Sequence, residues 1–226
     1  MTSTWTGLTV SCALGLLFAA GPAPRQTTNP KYHAAAVSQA GFIPFPMNTN
    51  TPGFVSVDVL VTSNGIPQDV IVVRDLPPLT SGVVNAVRGW HYTPATLNGD
   101  SVPGIVPIAV AFNPFNPSGV GLPAQDLQAP QAQVVSNFQP PALVHANYAN
   151  YPPNTVASGT VVLKIHIDTI GRVHQVTVVH GKDVLNAASI RAVATWQFTA
   201  AIYNGKPVPA GVIVAFVYAP PEEGTR

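Results

Sequence analysis

Two stretches decide how this chain is read: "WHYTPATLNGDSV", Trp90 to Val102, and "WQFTAAIYNGKPV", Trp196 to Val208. Each has a Trp, an aromatic two residues on, an Ala five residues on, and Asn-Gly eight and nine residues on. They stand 106 residues apart, and a fixed period of this kind signals a duplicated structural unit. Sliding the sequence by the same interval extends the match in both directions. "FP" at Phe45-Pro46 falls on "YP" at Tyr151-Pro152, and "VSVDVLVTSNG" (Val55 to Gly65) falls on "VVLKIHIDTIG" (Val161 to Gly171). "VIVV" (Val70 to Val73) falls on "VTVV" (Val176 to Val179), and Leu79, Ala86, Val87 and Trp90 fall on Leu185, Ala192, Val193 and Trp196. The match runs without a gap to Pro103. The first copy then carries two extra residues before "AVAF" (Ala109 to Phe112), which answers the end of "VIVAF" (Val212 to Phe216).

Each copy has the same physical pattern. In the second, Leu163, Ile165 and Ile167 alternate with Lys164, His166 and Asp168, the period of a half-buried strand. Gly171 supplies a turn and a Val-rich run follows as the hairpin partner. The period then changes. Leu185, Ala188, Ser189, Ala192, Val193 and Trp196 recur every three or four residues, one stripe of a helix, with Asp183 as the expected N-cap. In the first copy Pro77 and Pro78 mark the helix start. After each Trp a short strand leads to Asn-Gly, a hairpin signal, and a final Val-rich strand. The predicted fold is α+β: two tandem small modules, each an antiparallel sheet of about three to four strands with a helix on one face.

The organisation follows. Residues 1–20 contain the apolar run "LTVSCALGLLFAA", too short for a spanning helix but the length of a signal-peptide core. Residues 21–40 form a Pro-containing leader, 41–113 the first module, 114–147 a linker rich in Pro, Gln and Ala, 148–219 the second module, and 220–226 a tail. The lone Cys12 lies within the apolar run, so disulfides do not hold the modules together. Charged residues are 8% of the chain and the net charge is +1, which gives no basis for nucleic-acid binding.

The second copy resembles the TonB C-terminal domain family through Tyr151-Pro152, "GTVVLKIHIDTIGRV" (Gly159 to Val173), "VTVV", "LNAASIRAVATWQF" (Leu185 to Phe198), "NGKPV" ending at Val208, and "VIVAF". The first copy resembles it with two departures: Asp100 where the second has Lys206, and Pro107 inside the last strand. The resemblance implies a periplasmic or cell-envelope module that pairs, by strand addition, with a short peptide of a transporter in the outer membrane. It does not supply the membrane-anchored, periplasm-spanning region of the energy transducers, and it implies no enzyme activity and no cofactor. The alternative is a structural or scaffolding envelope protein whose modules pair with each other or form a homo-oligomer.

The sequence carries no phosphate-cradling Gly loop, no nucleophile elbow, no zinc-protease helix and no Cys pair. His166 and His174 flank the second hairpin turn, where they could face each other across the two strands, and His180 lies further along; the matching positions in the first copy are Leu60, Gln68 and Arg74, so no metal site is expected. The candidate binding strand is the last one, Val212, Ile213, Val214, Ala215, Phe216 and Val217, read as a sheet edge whose free backbone groups accept a peptide. Pro107 removes a donor from the corresponding strand of the first copy. Trp90, Trp196, Leu79 and Leu185 are the expected core anchors. Truncating a core Trp removes ~3–5 kcal/mol, most of the stability of a small domain. Trp196→Ala is expected to unfold the second module, as read by loss of near-ultraviolet circular dichroism; a variant as stable as the parent would show the indole is not in the core.

Overall fold

A computed structural model describes residues 32–46, 51–116, 121–129, 134, 137–153 and 155–221. The predicted signal segment and the tail from 222 onward lie outside the described residues. The first half runs β1 (Tyr32–His33), β2 (Ala36–Gln39), β3 (Gly53–Val61), β4 (Pro67–Arg74), α1 (Leu79–Arg88), β5 (His91–Thr93), β6 (Ala95–Leu97), β7 (Asp100–Val102) and β8 (Gly104–Asn113). After β9 (Gln125–Asp126) the second half repeats the series: β10 (Phe138–Gln139), β11 (Leu143–Ala146), β12 (Gly159–Ile167), β13 (Val173–His180), α2 (Asp183–Val193), β14 (Gln197–Phe198), β15 (Ala201–Tyr203), β16 (Lys206–Val208) and β17 (Ala210–Tyr218).

The long strands of both halves form one six-stranded sheet in the order β13-β12-β17-β8-β3-β4. Within each half the pairing is antiparallel; the halves join through β8 and β17, which run parallel from Ile108↔Ile213 to Asn113↔Tyr218. A mirror-like strand order around a parallel central pair is what a two-fold axis along the strands produces. Such an axis also inverts the faces of the sheet, and the side chains obey it. Val55, Val57, Val59 and Val61 pack with Leu79, Val83, Val87 and Trp90 on one face. Val161, Leu163, Ile165 and Ile167 pack with Leu185, Ala188, Val193 and Trp196 on the other. The sequence left open whether the two modules join; in the structure they are the halves of one sheet with a helix on each face.

Local chemistry explains the elements. α2 buries Leu185, Ala188, Ser189, Ala192 and Val193, a single stripe. Its N-cap is Lys182, not Asp183: the carboxylate sits inside the first turn, where it meets the positive end of the helix dipole. Ser189 is buried in that stripe and satisfied, donating to the Leu185 carbonyl at 3.0 Å and meeting the Tyr218 hydroxyl at 2.8 Å. Both Asn-Gly pairs turn with positive φ, at Asn98-Gly99 and Asn204-Gly205, as a tight hairpin between short strands requires. Gly171 has φ of 82° and receives the Phe198 N–H on its carbonyl at 3.0 Å; a Cβ there would strike the Phe198 backbone. Gly65 stands at the matching place with φ of 80°, against the Tyr92 carbonyl.

The repeat begins earlier than the sequence reading placed it. β1 and β2 fall in the predicted leader, and β9, β10 and β11 in the predicted linker. β2 pairs with β5, and its counterpart β11 pairs with β14. These straps also cross between halves. β2 packs over β13 and β17 of the second half. Pro141, Ala142 and Leu143 close over Ser56 and Asp58 of the first.

Further contacts lock the halves together. Phe54, on β3, stacks edge-on against Trp196 with ring centroids 5.7 Å apart and packs on Tyr148 at 4.6 Å. At the matching position on β12, the Thr160 hydroxyl accepts from the Ile43 N–H at 3.0 Å and donates to the Ile43 carbonyl at 3.1 Å. Asn113 ends β8 by accepting from the Ala149 N–H through its side chain and from the Ala219 N–H through its carbonyl.

Asp58 is 5% exposed and accepts no hydrogen bond from a described residue. Burial pushes its carboxyl up to about 7. In the unfolded chain the value is about 3.9, so the folded state holds the proton more tightly. The Asp58 contribution to stability therefore falls as pH rises from about 4 to about 7, and levels off above. Asp58→Asn is expected to remove this contribution and to stabilise the protein relative to the parent at pH 8, on the order of 2–4 kcal/mol; thermal melts of both proteins at pH 5 and pH 8 give the difference. Because the halves share one sheet and one set of cross-contacts, calorimetry of the whole chain is expected to show a single transition. Phe54→Ala, a loss of about 3–5 kcal/mol, should lower that one transition rather than one of two, and Trp196→Ala, at the other side of the same contact, should destabilise both halves together and not the second alone.

Candidate functional site: the edges of the shared sheet

The strand that the sequence marked as a free edge is not one. Val212, Ile213, Val214, Ala215, Phe216 and Val217 lie in β17, which pairs with β12 along one side and with β8 along the other. All six are buried. The reason lies in their composition: a run apolar at every position has no solvent face, and it suits a strand covered on both sides of a sheet. The margin that the reading assigned to a partner is filled by β8 of the same chain. Pro107 faces Asp58 of β3 in the pairing of β8 and does not protect an outer edge.

The core anchors are placed differently. Trp90 is 4% exposed and Trp196 1%, and Leu79 and Leu185 are buried beside them. The two indoles are not equivalent. Trp196 donates Nε1–H to the Asn147 carbonyl at 2.8 Å, whereas the Trp90 nitrogen is buried without a partner among the described residues. An unmet buried donor costs about 1–3 kcal/mol, so the second copy is the better satisfied of the two.

The outer strands of the sheet are β4 and β13. β4 is closed by its own residues. Pro67 begins it without an N–H, Asp69 takes the Val70 N–H on its carboxylate at 2.8 Å, and Arg74 holds the Gln128 carbonyl of the linker at 2.6 Å. β13 has no such closure: its outer margin carries no side-chain hydrogen bond among the described residues. Its sequence "VHQVTVVH" keeps His174, Gln175, Thr177, Val178 and His180 exposed. Two register shifts, between Val162 and Leu163 and between His166 and Ile167, twist its pairing with β12 but leave six paired positions.

The same register settles the histidines. His166 stands opposite Gln175, and His180 opposite Val162, so the hairpin does not set His166 against His174. Among the described residues no three His, Cys, Asp or Glu side chains gather as a metal site. His145 meets Asp126 at 2.6 Å, an exposed pair that fastens β9 onto β11. Asp168 belongs to the turn before β13: its carboxylate accepts the Arg172 and Ile170 N–H groups, which hold it below the usual carboxylate range.

Two features were not read from the sequence. The straps β2 and β11 share only a thin apolar pattern, Ala36/Ala142, Val37/Leu143 and Ala40/Ala146, which becomes visible when the 106-residue shift is carried further toward the N-terminus. Tyr32 stacks on Tyr203 across the halves, with ring centroids 5.5 Å apart and planes within 10°, a long-range contact that no local pattern announces.

Among the described residues, no helix is long and apolar enough to cross a membrane. No curated protein and no solved structure matches the chain. A family model does, twice: the Gram-negative bacterial TonB protein C-terminal family matches residues 35–114 and again residues 147–220. Its members are protein-interaction domains of the Gram-negative envelope. The two matches fall on the two halves of the shared sheet and together cover well over half of the sequence, so the chain belongs to the TonB C-terminal family and carries the domain in two tandem copies.

Proposed function

We propose that the protein is a non-enzymatic docking module of the periplasm that captures an extended peptide of an envelope protein, such as an outer-membrane transporter, by adding it as a strand to β13. The observation that carries this reading is the difference between the two outer strands. β4 is stopped by Pro67, Asp69 and the Arg74 bond to Gln128, while β13 presents eight residues with an open backbone margin. An extended partner gains main-chain hydrogen bonds along such a margin, and the exposed side chains on either face select its sequence.

Charge agrees with the choice of edge. The second half, from Tyr151 to Phe216, has Lys164, Arg172, Lys182, Arg191 and Lys206 against Asp168 and Asp183, a net +3. The first half, from Phe42 to Phe112, has Arg74 and Arg88 against Asp58, Asp69, Asp75 and Asp100, a net −2. An acidic peptide is steered toward the second half, with an association rate that falls as salt rises.

A scaffolding role is the second reading. It is favoured by the β8–β17 junction, which already uses pairing to hold the modules together. The same open margin on β13 would then join two copies of the chain.

Amide spectra of the whole protein separate the readings. Adding an extended acidic peptide from the periplasmic segment of a transporter is expected to shift signals of Val173 to His180 and to leave Val212 to Val217 unmoved. A peptide N-methylated at alternate residues should fail to bind. Shifts along β4 in place of β13, or none at saturating peptide, would overturn the docking proposal. Concentration-dependent dimerisation in sedimentation, competing with the peptide, would favour the scaffold.

A further inference from the structure

The duplication places two residues at matching points under the two straps, Asp58 in the first half and Lys164 in the second. Their surroundings have diverged. Asp58 and Ser56 face a void of 20 Å³ bordered by Pro141, Ala142 and Leu143, room for about one water molecule. Lys164 faces a cavity of 470 Å³ under His33, Ala34, Ala35 and Ala36. The fold thus leaves little space at one site and a wide cavity at its counterpart. Pro140 and Pro141 stand in the closing strap where Ala34 and Ala35 stand in the open one.

The open cavity has the size of a small-molecule site, typically ~300–1,000 Å³. Its walls are largely apolar: Val106, Val212 and Ile213 from the sheet, and the rings of Tyr32, Phe138 and Tyr203 at one side. Tyr32 is fixed there by its stack on Tyr203 and its contact with Phe138 at 6.0 Å. At the polar end stand Lys164 and His166 of β12, with His33 across from them on the strap. Among the described residues the Lys164 ammonium has no hydrogen bond and no ion pair, and no Asp or Glu lines the cavity. Burial and the nearby Lys164 charge keep His166 below its ordinary value, which leaves the imidazole neutral at pH 7 and able to donate one hydrogen bond.

We propose that this cavity binds a small carboxylate carried on an apolar body, with the anion on Lys164 and the body against Val106, Ile213 and the Tyr32 ring. An unpaired ammonium at the end of an apolar pocket selects for one negative charge, since a neutral ligand leaves it without a partner and a cation is repelled. The carboxylate can belong to a free acid or to the terminus of a peptide. The site lies on the face of β12 and β17 beneath the strap, apart from the outer margin of β13, so it does not depend on the docking reading.

Titration calorimetry and amide spectra of the whole chain test it with named probes: octanoate, phenylacetate, octanol, octylamine, and the tripeptide Gly-Phe-Phe with a free or amidated end. The acids are expected to saturate and to shift Lys164, His166, Gly211 and Ile213. Lys164→Met, which keeps the length of the side chain, should weaken octanoate at least tenfold and leave octanol unchanged. Gly211 borders the cavity, and a Cβ there meets only the Ile165 carbonyl at 3.9 Å. Gly211→Leu should therefore fold, fill the space and abolish binding of every probe. Tighter binding of the free tripeptide than of octanoate assigns the carboxylate to a chain terminus; the reverse order assigns it to a free acid. Octanol or octylamine binding as tightly as octanoate, an unchanged octanoate affinity in Lys164→Met, or acid-induced shifts confined to other regions would overturn the proposal.

Discussion

The structure depends on the pairing of β8 with β17. These strands are the most apolar in the chain: β8 is buried at every position, and β17 at every position except Gly211. Neither could serve as the exposed margin of an isolated module without leaving both apolar side chains and main-chain groups in water. Paired in parallel, they become the centre of a wide sheet, and each gives the other the hydrogen-bond partner that a single module lacks. The rest of the architecture follows from that choice. A parallel junction of two like units inverts one relative to the other, so the helices must lie on opposite faces. Each face then needs cover beyond the reach of its own helix, and the straps β2 and β11 reach across to supply it.

This constraint explains why the sequence was legible in some places and not in others. The strand–strand–helix order, the helical stripe closing on Trp196 and the Asn-Gly hairpins are local patterns of period two or 3.6, and they could be read from single segments. The edge could not. Whether Val212 to Val217 is free depends on Ile108 to Asn113, about a hundred residues away, and no local period records a partner at that distance. One sign was present: "VIVAFV" is apolar without alternation, the mark of a strand covered on both faces, whereas "VHQVTVVH" keeps polar residues interspersed, as an outer strand does. Weighing that contrast would have moved the edge to β13. The straps were missed because short segments of Ala, Val and Pro resemble a linker when their pairing partners are unknown.

Where the copies agree, the shared residues build the fold; where they differ, the differences sort into two groups. Phe54 and Thr160 both tie the halves together, one by an aromatic contact with Trp196 and the other by paired hydrogen bonds to Ile43. Different chemistry at matching places gives each half a distinct partner surface, and this fixes one arrangement of two similar units. The second group faces solvent or space. It includes Asp69 and Gln175 on the outer strands, and Asp58 and Lys164 under the straps.

In that second group the first copy is consistently the closed one. Its outer strand is stopped by Pro67 and Asp69, and its Asp58 is buried beneath a proline strap at a cost that grows with pH. The second copy keeps an outer strand without such a stop, and a Lys164 that faces the larger cavity. Duplication gives β17 its cover: β8 lies along it, the first copy serves as the support, and β13 of the second copy remains the outer strand on which the proposed docking rests.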